Sequence, residues 1–81
     1  MSDLVRSPRM AGVLVRKARK ARGWSQTELA SRMNVRQATV SKLEAGEPAT
    51  RMKVFFDALT ALKLEIVVST RGSDADFADL F

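Results

Sequence analysis

The sequence predicts an all-α fold of four short helices, followed by one C-terminal β-strand that finds no partner within the chain. Three observations predict it. Helix openings and helix stops alternate along the chain: Ser7-Pro8 and Gly23, Ser25 with Glu28 and Asn34, then Ala45-Gly46. Apolar residues recur at helical spacing between them. Residues 64–70, LEIVVST, are rich in β-branched side chains and read as a strand.

At 81 residues the chain is one domain at most. A chain this short buries only about 60% of its unfolded surface, so its core is marginal. It contains no cysteine and no histidine, hence no disulfide and none of the usual zinc ligands. No metal or cofactor is expected. The chain must fold compactly or gain core by pairing with a copy.

Residues 1–6 read as a flexible arm. The first helix opens at Ser7, with Pro8 at the first helical position, and runs to about Arg22 before Gly23. Its apolar face is Ala11, Leu14, Val15 and Ala18. Arg16, Lys17, Arg19, Lys20 and Arg22 crowd the other faces, mostly as solvated charge. Trp24 is an anchor rather than a base-stacking platform, because single-strand binding wants several aromatics.

Ser25-Gln26-Thr27-Glu28 fits a capping box, with Ser25 capping the Glu28 N–H and the Glu28 carboxylate reaching back. The second helix runs to Met33, and Asn34 takes the left-handed turn that ends it. The third starts near Arg36 or Gln37 and reaches Glu44. Thr50 caps a fourth, from Arg51 to Leu62, with Met52, Phe55, Phe56, Leu59 and Leu62 as its stripe. Val54, Ala58 and Ala61 widen that stripe beyond one small core, which predicts a second buried surface.

A lone strand cannot satisfy its own N–H and C=O groups. It is expected to pair with its own copy in an antiparallel ribbon. The alternative is that residues 64–68 extend the fourth helix. The expected dimer residues are Val54, Ala58, Leu64, Glu65, Ile66, Val67 and Val68. Residues 7–70 thus form the folded, dimerising domain, and residues 71–81 an acidic tail carrying Phe77, Leu80 and Phe81.

Charge is uneven. The net value is +5, and all 14 Lys/Arg fall before residue 72 while three aspartates fall after it. A basic body suggests a polyanionic partner. No apolar run is long enough to span a membrane and no secretory signal is seen, so a cytoplasmic location is expected.

Residues 25–45 concentrate the chemistry. Leu29, Ala30, Met33, Val35, Val40 and Leu43 take positions that pack two helices at a fixed angle, the signature of a helix-turn-helix. With that face buried, the third helix presents Gln37, Ala38, Ser41 and Lys42, with Thr39 at the edge. On a recognition helix such groups reach base edges. Gln37 can bind adenine bidentately, Ala38 or Thr39 can touch a thymine methyl, and Ser41 can donate or accept. Arg36 joins them as a base or phosphate contact. Ser25, Gln26 and Lys42 are the phosphate candidates, the first two at a helix N-terminus.

On the residues RGWSQTELASRM-NVRQATVSKLEAG the chain resembles the Xre/Cro-like helix-turn-helix domain of phage repressors, which implies a lambda-repressor-like fold. Gln26 and Gln37 match that family's phosphate-binding and base-reading glutamines. Arg19 and Glu44 match a pair that forms a salt bridge in the family. Ser7-Pro8, RQATVSKLEAG and FFDALTALKLEIVVS narrow the resemblance to the HipB-type antitoxins. That implies a dimeric autorepressor on operator DNA that binds a HipA-type serine/threonine kinase toxin, with Phe77, Leu80 and Phe81 as candidate toxin contacts. The tail departs most from the family pattern.

Two alternatives carry different functions: a stand-alone Xre-family repressor, and a protein-interaction module without DNA binding. An enzyme is not expected. The chain has no histidine, cysteine, glycine-rich phosphate loop or clustered carboxylates for acid–base or metal chemistry.

Overall fold

The computed structural model describes residues 4–70. Four helices follow in order: α1 (Pro8–Ala21), α2 (Gln26–Met33), α3 (Gln37–Glu44) and α4 (Met52–Ala61). The first two open as their sequences dictate. The Ser7 hydroxyl accepts the Met10 N–H at 3.1 Å, and the Ser25 hydroxyl accepts the Glu28 N–H at 3.0 Å. The second half of the capping box does not form, because the Glu28 carboxylate accepts from Arg32 one turn on, at 3.0 Å. Thr50 is not the cap of α4. That place falls to Arg51, which makes no side-chain cap.

All four helices stop by one device. Gly23, Asn34, Gly46 and Lys63 have φ of 72°, 58°, 76° and 57°. The residue after each donates back five positions: Trp24 to Arg19, Val35 to Ala30, Glu47 to Lys42 and Leu64 to Leu59, at 2.8–3.2 Å. Trp24, Val35 and Leu64 then fold onto the core as the apolar contact of this motif. Lys63 carries no sequence signal for the left-handed turn. Its position is set by Leu62 and Leu64 packing on either side of it.

The core is Val15 from α1, Leu29, Ala30 and Met33 from α2, Val40 and Leu43 from α3, with Ala58, Leu59 and Leu62 from the α4 end. Gly12, absent from the expected apolar face, sits where α1 crosses α3. A Cβ there would lie 2.5 Å from the Glu44 carbonyl oxygen and 2.6 Å from that of Leu43. The backbones touch, so the position admits no side chain. Arg22, read as solvated charge, donates instead to the Leu62 carbonyl and ties α1 to the end of α4.

Two expectations about α4 are corrected. Ala58 is fully enclosed by its own chain, and Val54 is half-buried against the core, so neither forms a free dimer face. Both face the chain's own core; the exposed large apolar residues of α4 are Met52 and Phe56. Leu64 likewise spends its side chain on its own core. Residues 64–70 do not extend α4, and no strand occurs among the described residues. Ile66, Val67 and Val68 stand exposed there. The acidic tail, with Phe77, Leu80 and Phe81, lies outside the described residues.

Gly12→Ala is expected to destabilise the fold by about 1–3 kcal/mol, since two carbonyl oxygens on the backbone of α3 must move. Urea titration followed by helical circular dichroism measures this. A midpoint equal to wild type would mean that α1 and α3 are not in backbone contact.

Candidate nucleic-acid interface

Helix α3 is too short to hold itself in water, at eight residues, and owes its position to tertiary contacts. Val40 and Leu43 bury its inner face. The turn at Asn34 sets its angle to α2. Its outer face is left with Gln37, Ala38, Ser41 and Lys42, all exposed. Arg36, also exposed, occupies the N-cap without a side-chain cap bond, so it leaves the first turn of α3 uncapped. Thr39 is half-buried and lines a shallow pocket with Lys42, Glu47, Thr50, Arg51 and Val54, to one side of that crest.

Beneath the crest lies a buried ion pair. Arg19 Nε donates to Glu44 Oε2 at 2.7 Å and Nη2 to Oε1 at 2.9 Å, with side chains 9% and 3% exposed. Arg19 Nη1 donates to the Trp24 carbonyl at 2.8 Å. No buried side-chain polar atom is left without a partner among the described residues. The hydrogen bond to Glu44 holds the guanidinium above its ordinary value; desolvation opposes this and Coulombic attraction adds to it. A raised folded-state pKa contributes stability at every pH below the unfolded value, lost only as pH climbs through the folded one. Arg19 is therefore charged throughout the physiological range.

The pair reaches the surface through two glutamines. Gln26 Nε2 donates to Glu44 Oε1 at 3.1 Å, and Gln37 Nε2 donates to Gln26 Oε1 at 2.6 Å. Gln26 and Gln37, expected to act on phosphate and base respectively, are thus brought into direct contact. Ser25 adjoins them as the cap of α2, with its hydroxyl occupied by Glu28 N–H. Trp24 is held as an anchor: its ring lies under Arg32 at 4.0 Å and Arg22 at 5.6 Å.

The sequence missed two features. Arg51 shares a pocket with Lys42, placing a second cation beside α3; a basic residue before α4 was its only signal. Glu44 holds Gln26 as well as Arg19, which no local pattern announces.

Comparison with known proteins agrees with this geometry. Residues 15–68 match the helix-turn-helix family HTH_3. Over 62 residues the chain is 32% identical to "Antitoxin HipB" of Escherichia coli strain K12, covering 76% of this chain and 70% of that protein. The solved structure "HipB-O4 20mer complex" superposes with a TM-score of 0.80 at 28% identity, over 88% of this chain and all of the other. "Structure of HipA-HipB-O2-O3 complex" gives the same TM-score, identity and coverage.

Glu44→Ala is expected to cost about 3–5 kcal/mol, because it leaves the Arg19 charge buried and unpaired. Replacing both partners, Arg19→Met with Glu44→Leu, should recover most of that loss. Thermal unfolding of the two variants decides it: a double replacement as unstable as the single one would show that the unpaired charge is not the cause.

Proposed function

Because the chain belongs to the helix-turn-helix family HTH_3, and within it to the HipB-like antitoxins, we propose that it is an antitoxin that represses its own operon. It binds operator DNA as a homodimer and binds a HipA-like serine/threonine kinase toxin, acts in the cytoplasm and catalyses nothing itself. The observation that carries this reading is the exposed crest of α3. It holds Arg36, Gln37, Ala38 and Ser41 on a scaffold that superposes on HipB in a complex described with O4. In this reading α3 lies in the major groove. Gln37 and Ser41 read base edges, with Arg36 and Ala38 beside them. The N-terminus of α2, with Ser25 and Gln26, holds a phosphate on one side. Lys42 and Arg51 hold phosphate on the other.

Dimerisation is supported by the segment after α4. Ile66, Val67 and Val68 are 50%, 83% and 71% exposed, three apolar side chains in a row with no strand among the described residues beside them. Pairing residues 65–68 with those of a second copy satisfies their backbone and covers these side chains. Two copies of α3 would then face half-sites roughly 34 Å apart. The toxin arm is supported by likeness to HipB, which occurs with HipA in the second complex above.

In gel-shift assays on the upstream operator, Gln37→Ala or Ser41→Ala is expected to weaken binding by about 1–3 kcal/mol and relax preference at one base pair each. Lys42→Ala should weaken binding on every sequence and lower the salt slope by about one. Binding that ignores both salt and these substitutions would reject the DNA reading.

Sedimentation tests the assembly. The wild-type chain is expected to run as a dimer and Val67→Lys as a folded monomer, since a charge in the ribbon opposes pairing. Added HipA-like kinase should co-sediment and lose activity. A wild-type monomer would reject the ribbon, and a kinase left free and active would reject the antitoxin role.

A further inference from the structure

The hydrogen bonds leading out from Glu44 carry a direction. A carboxylate only accepts. Gln26 lies 3.1 Å from Glu44 Oε1, so it must turn its Nε2 that way. Its Oε1 is then left facing Gln37 at 2.6 Å, and an amide oxygen also only accepts, so Gln37 must turn its own Nε2 toward it. The two ends of an amide are nearly identical in shape. Here the charge on Glu44 distinguishes them, twice in succession. The carboxylate cannot swing away without breaking the two charge-assisted bonds from Arg19, at 2.7 and 2.9 Å. Arg19 is itself held by the Trp24 carbonyl at 2.8 Å.

We propose that Glu44 is a positioning residue for base readout: it relays one hydrogen-bond polarity through Gln26 to Gln37 and so fixes which amide edge Gln37 offers to DNA. This rests on the reading of Gln37 as a base contact. With one Nε2 hydrogen given to Gln26, Gln37 keeps its other N–H and its Oε1 for the groove, in a set order. An adenine edge presents an acceptor at N7 beside a donor at N6. The order of donor and acceptor on Gln37 selects how that edge must lie. Glu44 exerts this control with a side chain only 3% exposed, from the far end of α3.

Glu44→Gln provides a nearly isosteric test. Both carboxylate oxygens accept from Arg19, and Oε1 accepts from Gln26 as well. An amide in their place loses one Arg19 bond whichever way it lies, and the end it turns to Gln26 is no longer fixed as an acceptor, so the polarity downstream is left unset. Gln26→Leu breaks the relay while leaving Arg19 and Glu44 paired. Competition binding compares wild type, both variants and Gln37→Ala, on operators altered at the base pair read by Gln37 or at that read by Ser41. Loss of roughly tenfold discrimination at the first base pair only, in both variants, is the expected result. In the free protein, the Gln37 side-chain amide resonances should shift in Glu44→Gln with melting temperature still cooperative. Wild-type discrimination in both variants, while Gln37→Ala loses it, overturns the relay. So does an equal loss at both base pairs, which would mark Glu44 as scaffold alone. If Glu44→Gln does not fold, Gln26→Leu decides by the same criterion. If Gln37→Ala discriminates like wild type, the base-contact reading fails, and unshifted Gln37 amide resonances in Glu44→Gln then overturn the relay independently of DNA.

Discussion

The buried pair of Arg19 and Glu44 is the constraint on which the rest of the structure depends. Two charges removed from water cost several kcal/mol each unless every hydrogen-bonding site is met. Here Arg19 meets Glu44 twice and the Trp24 carbonyl once, and Glu44 takes Gln26 as well. One set of bonds therefore joins the last turn of α1, the turn before α2, the first residue of α2 and the last residue of α3. A small all-apolar core of alanine, valine and leucine would tolerate several helix arrangements. The pair selects one, because any other leaves a charge stranded.

Backbone contact completes that selection. Gly12 lets α1 lie directly on the carbonyls of Leu43 and Glu44, so the pair forms across helices with no room to slide. The four left-handed stops do the same for direction, each folding the next residue back over the helix it has just left. Short helices, marginal in isolation, become rigid through their ends. On the proposed function a rigid α3 matters, because base recognition needs side chains held within fractions of an ångström.

The exposed crest of α3 is an extension of the core. Gln37 stands on Gln26, which stands on Glu44, which stands on Arg19. Among the described residues the exposed large apolar side chains lie elsewhere: at Leu4, Val5 and Val13 near the start of the chain, at Met52 and Phe56 on α4, and at Ile66 to Val68 beyond it. The crest of α3 and these apolar residues are carried by different elements.

By itself the sequence determined the helices, the turn at Asn34 and the outward residues of α3. These are local matters: a serine hydroxyl reaches an N–H three residues away, and helical spacing fixes which side chains share a face. It also placed Leu29, Val40 and Leu43 inside. Only the tertiary structure decided what depends on neighbours distant in the chain. Gly12 has no local reason to be glycine until α3 crosses it. Lys63 turns left-handed because Leu62 and Leu64 are both drawn into the core. Ala58 and Val54, which periodicity alone assigned to a second surface, are claimed by the first. Glu44 was visible as the partner of Arg19, but its grip on Gln26 required α2 and α3 to be set side by side. Hydrophobic spacing says which face is buried; it does not say how near the backbones come, nor which polar groups meet where they do.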